Sequence, residues 1–357
     1  HEFSLLNSEG VSSVTITGDQ NVTVTMDASD IDLLTSNAVT VVDSSSATST
    51  LKVGTAAGDM DLTAAAVDAI DIAIDNNAKT ATVASGAEVT LSVDQTATTI
   101  DGADSGASTN SVAVTLDDGA TAANAAVDIG TSLTFTDFAT ATINVSTDSV
   151  TSGTYTASSI TALTGSADNT SVTIEAGSNG VTLATSANLG TGVLTINSSG
   201  AIALGSTDIT AGGFTASGSG AVTATNLDSG NVGTVTTGSG IDTLTFDTTD
   251  DSLTLTTNGG NDIITLSDST VAAKSYVINA GDGSDTLIIG ADALDLNNGT
   301  TFTVSGVQTI KGANGVTAVT VGAALLDGAS FIIDHATLSD TFDATIELGT
   351  ATSLDLS

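Results

Sequence analysis

Glycines at positions 180, 200, 220, 240 and 260 form an evenly spaced series, one interval repeated four times in succession, and the next counterpart, Gly283, comes slightly later. A fixed period of about 20 residues marks a chain built from stacked repeats. Counting two and four positions on from each glycine gives Ile202 and Leu204, Val222 and Ala224, Asp242 and Leu244, Asp262 and Ile264, and Asp285 and Leu287. The alternation has period two, so one side of each run faces a core and the other faces water. Gly180 departs from this register, because Val181 and Leu183 carry the alternation there, and it reads as a differently bent start of the array.

Each interval holds a second short β-like run, as in "GVLTIN" (192–197), "DSLTLTT" (251–257) and "KSYVIN" (274–279). Two short strands and two turns per repeat predict a β-solenoid coil. A hairpin array would also give two strands per unit, but recurrence of one column at fixed spacing is what stacking explains. Successive coils of a regular stack would lie about 4.8 Å apart. The expected fold is all-β, a right-handed parallel β-helix or β-solenoid with about 20 residues per coil over 171–290.

Before residue 170 the same vocabulary continues without a clean period. "SVTITGDQNVTVTMD" (13–27) reads as two alternating strands around Gly18-Asp19, and "SVAVTLDDGA" (111–120) as a strand entering an Asp-Gly turn. "AVDAIDIAIDNN" (66–77) suits a strand by its Ile and Asp alternation, and "SSSATST" (44–50) is the most linker-like stretch. Region 4–170 is therefore expected to be β-rich, either irregular solenoid or β-sandwich. Residues 291–357 read as a C-terminal β cap or contact segment. His1-Glu2-Phe3 reads as the end of a tag with a cloning scar, which implies a piece of a longer chain.

Composition agrees with a thin, repetitive core. The 357 residues include no Pro, Cys, Trp or Arg, and aromatics make up 3%. Small and β-branched side chains fill a narrow core better than a thick one. The net charge is −37, and 36 of the 41 acidic residues are Asp, a turn former rather than a helix former. Four lysines, Lys52, Lys79, Lys274 and Lys311, cannot neutralise a phosphate backbone, so nucleic acid is not an expected partner. No apolar run reaches the length of a membrane-spanning helix. Lyases and epimerases built on β-helices need clusters of base and charge-neutralising residues, which this composition lacks, so no enzyme is expected. His335 is the only histidine outside the presumed tag, so no His/Cys zinc site can be built. Asp117-Asp118, and Asp101 with Asp104, read as exposed turn acids.

Three consecutive repeats carry candidate chemistry. Gly238-Ser239-Gly240-Ile241-Asp242, Asn258-Gly259-Gly260-Asn261-Asp262 and Gly281-Asp282-Gly283-Ser284-Asp285 share the frame Gly/Asn-x-Gly-x-Asp, each followed by x-Leu or x-Ile. A hard cation such as calcium wants six to eight oxygens, which glycine-rich turns supply as carbonyls and the Asp as a carboxylate. The candidate metal ligands are Gly238, Gly240, Asp242, Asn258, Gly260, Asp262, Gly281, Asp282, Gly283 and Asp285. Stacked carboxylates repel one another without a cation, so folding and metal binding are expected to be coupled.

These residues resemble the repeats-in-toxin (RTX) nonapeptide, Gly-Gly-x-Gly-x-Asp-x-hydrophobic-x. "AGDGSDTLII" (280–289) matches best, with Ala280 in place of the first glycine, while 237–246 and 257–266 are looser. The resemblance implies a calcium-bound β-roll in a secreted bacterial protein. Here one turn per repeat carries the motif, whereas that family usually has it on both edges, so a few ions are expected rather than a long file. The Thr/Ser/Ala/Asp-rich style, with phrases such as "VSGVQTIKGANG" (304–315), looks like the surface-layer (S-layer) proteins of Gram-negative bacteria. That resemblance implies type I secretion, self-assembly of copies into a calcium-dependent two-dimensional lattice on the cell surface, and contact with cell-surface polysaccharide. The alternative is a calcium-stiffened segment of an RTX adhesin that binds a surface, ice or a glycan. Against ice, the outward positions after Gly200, Gly220 and Gly240 do not form a regular Thr column.

Overall fold

The structure, a computed structural model, describes residues 2–5, 12–35, 40–56, 58–74, 79–104, 109–117, 127–145, 158–165, 170–205, 208–228, 232–247, 252–267, 275–290, 294–295, 301–313, 318–322, 332–335 and 343–347. Strands paired in parallel dominate throughout, and the chain is a β-solenoid. It divides into two compact units, His1–Asn197 and Ser198–Ser357.

In the first unit one parallel sheet runs through Glu2–Leu5, Val22–Met26, Ser49–Val53, Ala69–Ile72, Ala87–Leu91, Ser111–Leu116, Thr140–Val145 and Ser171–Gly177. A second runs through Met60–Asp61, Lys79–Val83, Gln95–Gly102, Ile129–Thr136, Ser158–Thr164 and Val181–Asn188. Ser13–Ile16, Thr40–Asp43 and Ala65–Ala66 form a small third sheet. In-register pairing stacks like on like. Val24, Leu51, Ile70, Val89, Val114, Ile143 and Ile174 form one buried column. Beside it stand Met26, Val53, Ile72, Leu91, Leu116 and Val145. Each β-branched or Leu side chain thus meets a similar one a coil away, which fills a narrow interior without large aromatics.

The coils of this unit are unequal in length. Ile70 pairs Val89, Val89 pairs Val114, Val114 pairs Ile143 and Ile143 pairs Ile174, so each of these coils takes more chain than the one before it. The β-rich region read from the sequence is therefore solenoid rather than sandwich, with strands held in register across unequal intervals of chain. One local expectation is corrected. "SSSATST" is not a linker: Ser44 N–H donates to Ile16 O, Ser46 N–H donates to Gly18 O, and Ser49 begins a strand with its side chain buried. The two alternating runs read in 13–27 are strands, Ser13–Ile16 and Val22–Met26, on either side of Gly18-Asp19, and they lie in different sheets. A helix, Ala28–Thr35, adds an element that the β-rich reading of this region does not contain. Asp27 caps it, accepting from the N–H groups of Ser29 and Asp30, while Ile31 and Leu34 are buried.

In the second unit one parallel sheet contains Gly213–Ser217, Thr234–Thr236, Leu253–Thr256, Ser275–Asn279 and Thr301–Ser305. The other contains Ile202–Leu204, Val222–Asp228, Thr243–Asp247, Ile263–Leu266, Asp285–Ile289, Val307–Gly312 and Ile332–His335. Leu294–Asp295, Ala318–Gly322 and Asp343–Glu347 make a small additional sheet. Here the coils are nearly equal: Leu244 pairs Ile264, Ile264 pairs Leu287 and Leu287 pairs Ile310 at intervals that barely change. Leu204, Ala224, Leu244, Ile264, Leu287 and Ile310 form its buried column. Tyr276, fully buried, packs at 6.0 Å between ring centroids against Phe302 of the next coil. Among the described residues no helix is long and apolar enough to cross a membrane. Asp118, Tyr155 and Lys274 lie outside the described residues, as does most of 291–357.

Candidate functional site

The turn leading into the sheet that begins at Ile202–Leu204 is where the repeated motif lies. Asp242, Asp262 and Asp285 occupy the same position on three successive coils, two positions before the buried Leu244, Ile264 and Leu287. An apolar side chain at that position would simply extend the core, as Val222 does one coil earlier. The carboxylates are instead used to join coils. Val222 N–H donates to Asp242 Oδ1 at 2.8 Å, Asp242 N–H to Asp262 Oδ1 at 2.9 Å, and Asp262 N–H to Asp285 Oδ1 at 2.8 Å. Asp285 N–H in turn donates to Gln308 Oε1 at 2.5 Å. A ladder of side-chain acceptors therefore satisfies a row of backbone donors that would otherwise be buried without partners.

All three aspartates are buried, and the second oxygen of each, Oδ2, is buried with no hydrogen-bond partner. Burial pushes the Asp242 carboxyl up to about 6 from its ordinary value; the Thr237 hydroxyl and the Val222 N–H pull it down, and the charge of Asp262 adds to the rise. No hydrogen bond of ordinary geometry joins that hydroxyl to the carboxylate, since Thr237 Oγ1 has no partner. Burial likewise raises Asp262, against the Thr257 hydroxyl and the Asp242 N–H, with Asp285 adding to the rise. Burial raises Asp285, opposed by the Asp262 N–H and reinforced by Asp282. A carboxylate oxygen removed from water without a donor is costly, so the ladder favours a bound proton or a cation at this face of the column.

The glycines of the motif have a steric reason to be there. A Cβ on Gly220, Gly240, Gly260 or Gly283 would stand 1.8, 2.3, 2.1 or 1.6 Å from the carbonyl oxygen of the glycine one coil earlier. A second column behaves alike: on Gly218, Gly238 and Gly281 it would stand 2.2, 2.1 and 1.7 Å from Ser198 O, Gly218 O and Asn258 O. The turns stack so closely that any side chain there would displace the neighbouring coil. Gly281 and its counterpart Asn258 also take φ of 78° and 61°, which glycine and asparagine tolerate best.

The predicted ligands thus separate into groups. Asp242, Asp262 and Asp285 come together in one column. Gly238, Gly240, Gly260, Gly281 and Gly283 line the turns beside it and, with Asn258, stack against the turns of neighbouring coils. Several carbonyls of this region are already engaged between coils. Gly218 O accepts from Ser239 N–H at 2.9 Å, Asn258 O from Asp282 N–H at 2.7 Å, and Asp282 O from Gly260 N–H at 3.0 Å. Asp282 is exposed and stands apart from the buried ladder. Gln308 belongs to the ladder and is absent from the sequence motif; its interval from Asp285 repeats that between Asp262 and Asp285, and this was the signal available.

The donor set suits a hard cation in kind. The three Oδ2 atoms offer free acceptor capacity, and each engaged carbonyl keeps a second lone pair. Among the described residues, no group of three or more His, Cys, Asp or Glu side chains converges as a metal site. A cation held here would therefore depend on backbone oxygens. No protein-family model, no curated protein and no solved structure matches this chain.

Proposed function

We propose that this chain is a non-catalytic structural protein, part of a secreted bacterial surface layer whose copies assemble into a calcium-dependent two-dimensional lattice on the cell surface. The observation that carries this reading is the ladder of Asp242, Asp262 and Asp285, which buries three unpartnered carboxylate oxygens in the seam between coils. A seam of that kind becomes rigid when its charge is neutralised and softens when it is not. Calcium, held by the Oδ2 atoms and by turn carbonyls of Gly238, Gly240, Asn258, Gly260, Gly281, Asp282 and Gly283, would supply the neutralising charge. The chain's own contribution is to hold those oxygens at fixed register through coil stacking and to keep side chains out of the turn.

The large negative charge supports the same reading, because divalent cations let like-charged copies approach. Other copies of the chain and cell-surface polysaccharide are the partners this implies. The adhesin alternative draws on Thr rows, but the outward column runs Ala203, Thr223, Thr243, Ile263, Thr286, Thr309 and is interrupted, as the sequence indicated.

Calcium titration of the purified chain, followed by electron microscopy and thermal unfolding, tests the proposal. Ordered sheets and a raised unfolding temperature that appear only with calcium are expected. A monodisperse particle that never assembles favours the adhesin segment, and unfolding indifferent to chelator removes the calcium assignment.

A further inference from the structure

We infer that Gln308 is the neutral end-piece of the aspartate column, a residue that takes the Asp285 N–H as another carboxylate would but adds no charge, and so fixes the coil at which cation binding along the seam stops. The inference rests on the calcium reading of the seam and names a residue that sets its extent.

The column can be followed coil by coil. Ile202, Val222, Asp242, Asp262, Asp285 and Gln308 each stand two positions after a glycine: Gly200, Gly220, Gly240, Gly260, Gly283 and Gly306. The first two are buried and apolar, the next three are buried acids, and the last is a half-buried amide. Gly306 keeps the close stacking of its counterparts, since a Cβ there would stand 2.5 Å from Gly281 N and 2.8 Å from Gly281 O. The coil of Gln308 therefore retains the second glycine of the motif, with the acid exchanged for an amide. Glutamine is rare in this chain, three residues against 36 aspartates, so an acid is what its composition would ordinarily supply at such a turn.

Geometry preserves the acceptor and removes the charge. Asp262 N–H donates to Asp285 Oδ1 and Asp285 N–H to Gln308 Oε1, both across 23 residues of chain, so the amide oxygen repeats the role of the carboxylate. Val307 pairs Asp285 and Thr309 pairs Thr286, which leaves Gln308 as the unopposed residue of a bulge. A bulge re-aims a side chain and interrupts a ladder. Glutamine, one methylene longer than aspartate, reaches the donor from that position. Burial strains all three carboxylates, and the charge of Asp262 adds to this at Asp242 and that of Asp285 at Asp262. At Asp285 the charge that adds is Asp282 of its own turn, not one from the coil beyond. A neutral acceptor there ends the run of facing charges, and with it the excess of negative charge that draws a cation into the seam.

The competing account makes Gln308 a mere partner for a buried N–H, and charge separates the two. The test compares urea unfolding of the full chain, parent and variants, at neutral pH in chelator and across a calcium titration, with circular dichroism to confirm folding. Gln308→Glu keeps an acceptor of the same size and adds a charge facing Asp285. It is expected to unfold at a lower urea concentration than the parent in chelator, and to need about tenfold less calcium for half of its stabilisation, because oxygen sites bind calcium more tightly as their ligand charge rises. Adding Asp285→Asn removes the facing charge, so in that background the loss caused by Gln308→Glu should shrink. Gln308→Met, without a comparable acceptor, is expected to lose stability equally with and without calcium. Should Gln308→Glu fail to fold in chelator, recovery of folding on adding Asp285→Asn supports the inference and persistent failure overturns it. Gln308→Glu that unfolds like the parent in chelator and responds to the same calcium concentration overturns the inference and leaves the calcium reading standing. A parent whose unfolding ignores calcium overturns the calcium reading and the cation part of this inference with it; the chelator comparison then still decides whether a neutral amide must end the column of charge.

Discussion

Asp262 Oδ1 accepts a hydrogen bond from the backbone N–H of Asp242, one coil earlier in the chain, at 2.9 Å, and the contact repeats at the coils on either side. One residue type therefore has two duties in this seam, as a carboxylate that must be neutralised and as an acceptor that a backbone donor needs.

Asp242→Ala and Asp242→Asn separate those duties. Alanine leaves the Val222 N–H buried without its acceptor and is expected to cost about 1–3 kcal/mol by chemical denaturation. Asparagine retains an acceptor oxygen and removes the charge, so in chelator at neutral pH it is expected to match or exceed the parent. An asparagine variant as unstable as the alanine one would show that the ladder needs its charge.

The pH dependence follows from the direction of the shifts. The folded pKa of Asp242 is raised to about 6, above its ordinary 3.8, and those of Asp262 and Asp285 are raised too. The folded chain then holds protons that the unfolded chain has released, so stability falls as pH rises through that window. Without divalent cations, this contribution is present at pH near 4 and lost above 6. Unfolding temperatures measured across that range should show the decline, and the Asp242→Asn variant should show less of it.

Gly283→Ala would drive a Cβ to 1.6 Å from Gly260 O at a φ of 150°. Overpacking of this kind costs roughly 1–3 kcal/mol or more, with backbone strain added. Gly58→Ala, where nothing lies within 4 Å, is the matched comparison and should be nearly neutral. Equal stabilities of the two variants, measured by urea unfolding, would contradict the close stacking of the turns.

Tyr276→Ala removes a fully buried ring and its contact with Phe302. A loss of about 3–5 kcal/mol is expected, as for other large aromatic truncations. Hydrogen exchange should speed most at Leu253–Thr256 and Thr301–Ser305, the strands on either side.

The solenoid is legible in the sequence only where the coils are equal. From Gly200 to Gly260 the spacing never changes, so columns align on the page as they do in space. In the first unit strands still pair in register, but the widening steps from Ile70 to Val89, Val114, Ile143 and Ile174 erase any period, because pairing constrains the strands and leaves turn length free. The aspartate column was legible for the same reason as the glycine one. Its partner was not: an Asp-to-amide hydrogen bond between coils depends on which neighbour lies above, and a linear pattern does not record that. The motif glycines read in sequence as carriers of carbonyl ligands, whereas their first duty is to admit the next turn. Gln308 escaped because it keeps the interval of the aspartates but is an amide outside the Gly-x-Gly-x-Asp frame.

The unequal coils have a consequence for how such a chain forms and changes. Each strand of the first unit finds its partner a single coil away along the chain, so order can start at any coil and advance to the next as a moving front, without waiting for distant segments. Residues added at a turn lengthen the loop closed at that step, and doubling a loop costs only about 0.6 kcal/mol. Peptides inserted between the strands of this unit are therefore expected to leave the pairing of the strands in register.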